Sequence, residues 1–156
     1  MTYDDFRDQI KTGDPLAWTH RFRWTWYDLQ VTAVRLFTMS EYTHVGIAVV
    51  MEGRVWVLES VRPLVRLVPL SGELPCYHLS GDGLTAEQRA TAFSLVGKGK
   101  YSRWEAVKSF FGKHKQNDAC TCAELVCCIL GIYKDPTPTN VVQVMLDRGA
   151  TLRFLK

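Results

Sequence analysis

The spacing of apolar residues changes character along the chain. From residue 14 to residue 37 the apolar positions recur largely at helical spacing, which predicts helix in part of this segment, most clearly over residues 27–37. Residues 43–50 and 54–61 are instead rich in β-branched side chains. They flank Glu52-Gly53, so the pattern predicts a β-hairpin with a two-residue turn.

Strands continue to about residue 80, and helices follow. Residues 64–70 and 75–80 predict two further strands. Three capping boxes each predict a helix start: Thr85 with Gln88, Ser102 with Glu105, and Thr121 with Glu124. The expected helix ends are near Gly97, Gly112 and Gly131, and a last helix from Thr137-Pro138 or Asn140 to before Gly149 precedes a final strand at residues 151–155. This order predicts a single α+β domain over residues 1–156, with a mainly antiparallel sheet packed against helices.

The composition is that of an ordinary globular domain. Of the 156 residues, 47% are hydrophobic and 22% are charged, and the formal net charge is +3. No apolar run approaches the roughly 20 residues that a membrane-spanning helix needs. The acidic start MTYDDFRD is unlike a secretory signal, so we expect a cytoplasmic protein. Its small size without accessory domains would suit a bacterial or bacteriophage protein.

Cysteine is concentrated in one short segment. Four of the five cysteines lie between Cys120 and Cys128, which is a poor disulfide framework, so we interpret them as reduced thiols. A zinc site on Cys120, Cys122, Cys127 and Cys128 is an alternative, but structural zinc sites usually use two separated ligand pairs, whereas Cys127 and Cys128 are adjacent on a predicted helix. We therefore expect no metal and no cofactor, and we predict that Cys127 and Cys128 are small buried residues. Metal analysis of the purified protein tests the zinc alternative.

Cys122 is predicted to be the first residue of a helix. With Thr121 as the N-cap, the sulfur would lie beside unpaired N–H groups and the positive end of the helix dipole. That environment favours the thiolate, which is the nucleophilic form of cysteine. Cys120 is the rival nucleophile, but it precedes the N-cap and lacks both effects. The sequence therefore favours Cys122.

Histidine is the usual base for a thiol nucleophile, and His44 is the best placed of the four histidines. A two-residue turn at Glu52-Gly53 would pair Gly46 with Glu59 and make His44 and Glu59 diagonal neighbours about 7–8 Å apart. Gly46 has no side chain to separate them, whereas a one-residue slip would move Glu59 to the opposite face. The pattern predicts Cys122, His44 and Glu59 as nucleophile, base and orienting carboxylate.

Each of these residues also has an ordinary structural explanation. A strand histidine is often a core or surface residue, Glu59 could cap a helix or reach solvent, and Cys122 could be a small core residue. Their joint placement favours the chemical interpretation. Cys76 and His78 lie two residues apart on one predicted strand face, and strand alternation explains them without chemistry.

The order of the motifs resembles a known family. Tyr42-Thr43-His44-Val45-Gly46-Ile47, a strand ending in Glu59, and then Cys122-Ala123-Glu124-Leu125-Val126 resemble the circularly permuted papain-like branch of the NlpC/P60 superfamily, the YiiX/YaeF-like permuted amidases. Gly13-Asp14, Tyr101 and Pro138 also fit its pattern, whereas Ala123 stands where a serine is common. The resemblance covers about residues 13–154. It implies a permuted papain-like thiol hydrolase or acyl transferase acting on amide or ester bonds.

We therefore predict a cysteine-dependent hydrolase that forms an acyl-enzyme on Cys122. Its expected substrate is an amide bond in a peptide, isopeptide or peptidoglycan-like molecule, or an acyl ester. The backbone N–H of Cys122 is the expected oxyanion donor, and Tyr42 is a second candidate if the strand of His44 extends to it. A lipid acyltransferase and a catalytically silent binding or inhibitory module on the same fold are the alternatives.

Basic and aromatic residues are interleaved in residues 20–27, HRFRWTWY. Arg21, Arg23, Trp24 and Trp26 form a candidate contact surface for a membrane interface, a nucleic acid or a glycan. We favour an amphipathic segment whose tryptophans cover the core while the arginines face water. Nucleic acid is therefore not an expected partner.

Overall fold

The computed structural model describes residues 1–19, 41–61, 64–97, 121–132 and 135–156. Within these ranges the protein is an α+β structure with one six-stranded antiparallel sheet and four α-helices. The strands are β1 (Pro15–Trp18), β2 (His44–Met51), β3 (Arg54–Val61), β4 (Leu64–Pro69), β5 (Cys76–Leu79) and β6 (Leu152–Leu155). The helices are α1 (Tyr3–Phe6), α2 (Ala86–Ser94), α3 (Cys122–Leu130) and α4 (Pro138–Asp147), and short 3₁₀ turns lie at Arg7–Gln9 and Leu70–Gly72.

The sheet has the strand order β4-β3-β2-β1-β5-β6. The predicted β2–β3 hairpin is confirmed, with Met51 opposite Arg54 and Ala48 opposite Val57. Glu52 and Gly53 both have positive φ, 50° and 71°, which is the backbone of the tight turns that match the twist of a hairpin. This register fixes which residues of the two strands share a face of the sheet.

The predicted helix starts within the described residues are confirmed by their caps. Both Thr85 and Thr121 form complete capping boxes, and Thr137 caps α4 with Pro138 as its first residue. Gly131 ends α3 in the left-handed conformation, at φ 63°, as expected. The helices predicted at residues 27–37 and from residue 102 lie outside the described residues.

The core has two layers, one on each face of the sheet. On one face the β2 residues Val45 and Ile47 pack with Leu125 and Ile129 of α3. The other face is covered by the N-terminal segment and the Leu70–Gly72 turn, through a cluster whose members are Phe6, Ile10, Leu16, Ala48, Val55, Val57, Leu70, Cys76 and Leu155. Both faces of the central strands are therefore shielded from water.

Two features differ from the sequence-based expectation. Pro15–Trp18 lies in the segment whose periodicity indicated helix, yet it forms β1 between β2 and β5. A short strand buried on both faces is an unbroken apolar run, which periodicity does not distinguish from part of a helix. Cys127 is buried as predicted, but the prediction for Cys128 is wrong because its side chain is exposed on the outer side of α3.

None of the helices in the described part of the chain has the length and apolar character needed to cross a bilayer.

Candidate functional site

Cys122 is the first residue of α3, as the capping pattern predicted. The Thr121 hydroxyl accepts a hydrogen bond from the backbone N–H of Glu124 at 3.1 Å, and the Glu124 carboxylate accepts one from the N–H of Thr121 at 2.6 Å. These two bonds define where the helix begins. The sulfur is therefore held at the positive end of the helix dipole.

His44 begins β2, and Glu59 lies near the end of β3. The His44 Nε2 atom is 2.6 Å from Oε2 of Glu59. The Glu59 side chain is only 2% exposed, whereas that of His44 is 26% exposed. An ionised carboxylate only accepts hydrogen bonds, so it holds the proton on Nε2 and leaves Nδ1 as the ring nitrogen available to the thiol.

The Cys122 thiol and the His44 imidazole act on each other, and their pKa values shift in opposite directions. Burial lowers the pKa of His44, but Cys122 and Glu59 outweigh burial and raise the pKa to about 10. Burial raises the pKa of Cys122, but His44 and the backbone N–H groups of Val45 and Ala123 outweigh burial and lower the pKa. The site therefore favours a thiolate beside an imidazolium.

Arg66 is a member of the site that the sequence analysis missed. Its Nε and Nη2 atoms lie 2.8 and 2.7 Å from Oε1 of Glu59, the oxygen that does not face His44. Burial raises the pKa of Glu59, but His44 and Arg66 outweigh burial and lower the pKa. A signal was present in the sequence, because strands at 54–61 and 64–70 joined by two residues pair position 59 with position 66.

Trp18 is the second residue that the sequence analysis missed. It pairs with His44 across β1 and β2, and the two ring centroids are 5.3 Å apart. The indole Nε1 donates a hydrogen bond to the backbone oxygen of Glu73 at 2.6 Å. No short-range signal pointed to Trp18, because its strand lay in a segment whose periodicity indicated helix.

Tyr42 does not share a strand with His44, because β2 begins at His44. The Tyr42 side chain is 5% exposed and packs edge-to-face on Tyr77, with ring centroids 5.5 Å apart. Burial, Glu41 and Tyr77 raise the pKa of the Tyr42 phenol. Its role as an oxyanion donor stays a prediction. Several other predicted residues lie outside the described residues, namely Cys120, Arg21, Arg23, Trp24, Trp26 and Tyr101.

A second histidine–carboxylate pair lies within the core. His78 Nε2 is 2.7 Å from Oδ2 of Asp14, and the Asp14 Oδ1 atom accepts a hydrogen bond from the N–H of Gly81 at 2.8 Å. Both side chains are at most 3% exposed. Gly13 has a φ of 109°, and a Cβ there would meet Leu84 at 2.9 Å, so the position requires glycine. Strand alternation alone was thus an incomplete explanation of His78, which anchors the 11–14 segment.

The described residues contain no group of three or more His, Cys, Asp or Glu side chains placed to hold a metal ion. In α3, Cys127 belongs to the core and Cys128 is exposed. The zinc interpretation also involved Cys120, which lies outside the described ranges. Metal analysis therefore remains its test.

No family model matches the chain, and neither does any curated protein. Among solved structures, the chain is similar to the metalloprotein YiiX from Escherichia coli O157:H7, described as DUF1105, with 27% sequence identity and a TM-score of 0.57. The similarity covers 78% of this chain and 64% of the YiiX chain, so this protein spans less than two thirds of YiiX. The comparison points to the YiiX-like family.

Proposed function

We propose that this protein is a cysteine-dependent hydrolase that cleaves an amide or acyl-ester bond through an acyl-enzyme on Cys122. The observation that carries the proposal is the series from Cys122, at the start of α3, through His44 to Glu59: His44 is 2.6 Å from the Glu59 carboxylate, and His44 lowers the pKa of Cys122. A nucleophile at a helix N-terminus, a base and an orienting carboxylate have complementary roles in acyl transfer. The same series supports a permuted papain-like, NlpC/P60-type fold, because His44 precedes Cys122 in the chain.

In the proposed reaction the Cys122 thiolate attacks the carbonyl carbon, and a carbon–sulfur bond forms as the carbonyl oxygen becomes an oxyanion. The backbone N–H of Cys122, at the start of α3, is the proposed oxyanion donor. The His44 imidazolium then gives its proton to the leaving amine or alcohol as the bond to the carbonyl carbon breaks. Water next attacks the thioester, His44 takes the water proton, and the carboxylic acid leaves with the thiolate restored.

Glu59 keeps the imidazole oriented throughout this cycle. Because Glu59 is nearly fully buried and also paired with Arg66, its carboxylate remains an acceptor and does not itself take the proton. The substrate classes that suit this chemistry are a peptide or isopeptide, a peptidoglycan-like amide, and an acyl ester. Resolution of the acyl-enzyme by an acceptor other than water would make the protein an acyltransferase, including a lipid acyltransferase.

The similar protein YiiX is described as a metalloprotein, which raises the question of a metal in this site. The described residues do not fit one, since Glu59 is occupied by His44 and Arg66 and no third ligand joins Cys122 and His44. No step of the proposed reaction is therefore routed through a metal ion. Elemental analysis of the purified protein, with Cys122→Ser for comparison, tests this assignment.

The experiment that tests the proposed function uses an activated acetyl ester as a general acyl donor. We expect rapid acetylation of Cys122, detected by mass spectrometry of peptides, followed by slow release of acetate. The exposed Cys128 is the reference thiol in the same molecule. Cys122→Ser should abolish release and Cys128→Ser should leave it unchanged.

Three outcomes separate the alternatives. Release that accelerates with an added amine or alcohol, with transfer of the acetyl group to it, indicates an acyltransferase. Acetylation of Cys122 no faster than that of Cys128 would contradict the proposal and favour the catalytically silent binding module. Release of acetate without an acceptor supports the hydrolase.

A further inference from the structure

Glu59 is held on both sides, although only one side faces the thiol. Its Oε2 atom is hydrogen-bonded to His44, and its Oε1 atom accepts the Nε–H of Arg66 and lies 2.7 Å from Nη2 of the same guanidinium. Carboxylates rotate about their terminal torsion with little resistance, so a single partner leaves the second oxygen free to exchange with the first. The two guanidinium contacts on Oε1 remove that freedom and keep Oε2 directed at His44.

The two strands place this contact by register. Arg66 lies directly opposite Glu59 in the β3–β4 pairing, so their side chains leave the same face of the sheet. Arg66 is 43% exposed, whereas Glu59 is 2% exposed. An exposed ion pair contributes little to stability by itself. This pair, however, neutralises a buried carboxylate whose only other partner among the described residues is His44.

Glu73, in the turn after β4, contacts both Arg66 and Trp18. The Glu73 carboxylate lies 3.6 Å from Nη2 of Arg66, and the Glu73 backbone oxygen accepts the indole N–H of Trp18. Trp18 in turn lies beside the ring of His44. Glu73 therefore contacts both Arg66, which binds Glu59, and Trp18, which lies beside His44. These contacts link the supports of Glu59 and His44 to the same turn.

We propose that Arg66 is a positioning residue of the site: its guanidinium fixes the Glu59 carboxylate so that Glu59 orients His44 toward Cys122. This inference rests on the proposed function. It assigns Arg66 no contact with substrate, and it requires the planar fork of arginine as well as its charge, because two nitrogens of that fork converge on one oxygen.

The test measures the rate of Cys122 alkylation by iodoacetamide as a function of pH, which needs no knowledge of the substrate. Removing the guanidinium in Arg66→Gln should move the acid limb of this profile to higher pH by about one unit, so that the rate at a given pH on that limb falls about tenfold. Arg66→Lys keeps the charge but lacks the planar fork. Its acid limb should therefore still lie at higher pH than that of the wild type, by part or all of the shift seen in Arg66→Gln. Arg54→Gln, an exposed arginine at the hairpin end of β3, is the matched control and should leave the profile unchanged.

Each result decides the question. An unshifted limb in Arg66→Gln, even with a lowered melting temperature, would make Arg66 merely structural and overturn the inference. Complete recovery of the wild-type limb in Arg66→Lys would overturn it too, because charge alone would then suffice. If Arg66→Gln does not fold, the Arg66→Lys profile decides by itself. A wild-type Cys122 that reacts no faster than Cys128 is a different failure, since it removes the proposed function before Arg66 is considered.

Discussion

At the scale of single residues, Glu59 binds a different partner with each carboxylate oxygen. His44 holds one oxygen and Arg66 the other, so the carboxylate stays ionised although it is buried. A buried charge is tolerated only where partners replace the water it has lost. Because Glu59 is buried, its second oxygen needs a charged partner in place of water, and Arg66 is that partner.

Replacing Glu59 with glutamine should slow the reaction of Cys122. The amide keeps the shape but not the charge, so the imidazolium loses its counter-ion and the thiolate loses its cation. We expect alkylation of Cys122 by iodoacetamide near neutral pH to slow by about tenfold or more, since each unit of pKa corresponds to a factor of ten. Glu87→Gln, in the exposed first turn of α2, is the control. An unchanged rate in Glu59→Gln would contradict the role of Glu59.

The pH dependence of Cys122 alkylation should shift to higher pH when His44 is removed. In the wild type the pKa of Cys122 lies below the ordinary value of 9.0 because His44 outweighs burial. In His44→Ala only burial and the backbone N–H groups remain, and burial favours the neutral thiol. We therefore expect the alkylation profile of Cys122 to move from below pH 9.0 in the wild type to a higher pH in His44→Ala. Cys128 provides the reference rate in both proteins, and coincident Cys122 profiles would refute the ion pair.

At the scale of secondary structure elements, the sequence predicted the features that short-range patterns encode. The capping boxes of α2 and α3 and the β2–β3 register were predicted because each depends on residues a few positions apart or on one tight turn. β1 was missed because it lies between β2 and β5 with three of its four residues buried, and so short an apolar run carries no periodic strand signal.

The two capping boxes provide a matched pair of variants. Thr121→Ala removes the N-cap of α3 and should cost about 1 kcal/mol of stability, and Thr85→Ala should cost a similar amount in α2. Only Thr121→Ala should also slow Cys122 alkylation, because only α3 carries the thiol at its first residue. Denaturant unfolding and alkylation rates measure the two effects. Equal alkylation rates in the two variants would show that the helix start does not activate the thiol.

At the scale of the whole molecule, the site depends on a close approach within the central sheet. A Cβ at Gly46 would lie 2.9 Å from Cγ1 of Val57, 3.0 Å from the backbone oxygen of Leu58 and 3.5 Å from Cβ of Glu59. The absence of a side chain at Gly46 lets β2 and β3 pack tightly, where His44 meets Glu59.

Gly46→Ala should therefore destabilise the fold and disturb the site together. We expect a loss of about 1–3 kcal/mol, typical of overpacking, and slower alkylation of Cys122 because relief of the clash with Val57 and the Leu58 backbone shifts the strand that carries Glu59. Gly72→Ala is the control, since nothing lies within 4 Å of a Cβ built there. Thermal unfolding followed by circular dichroism measures the first effect. A Gly46→Ala protein as stable as Gly72→Ala would show that the strands relax around the new methyl group.

The sequence by itself determined the local features of this protein: the start of α3 at Cys122, the turn at Glu52-Gly53, and the pairing that brings His44 to Glu59. These follow from hydrogen bonds and registers that span a few residues or one hairpin. Only the tertiary structure decided the rest, namely that Cys122 and His44 act on each other, that Trp18 lies beside the His44 ring and that Arg66 binds the second oxygen of Glu59. Those contacts join elements distant in the chain or strands whose pairing had not been assigned, and packing of the core sets their distances rather than any short-range pattern.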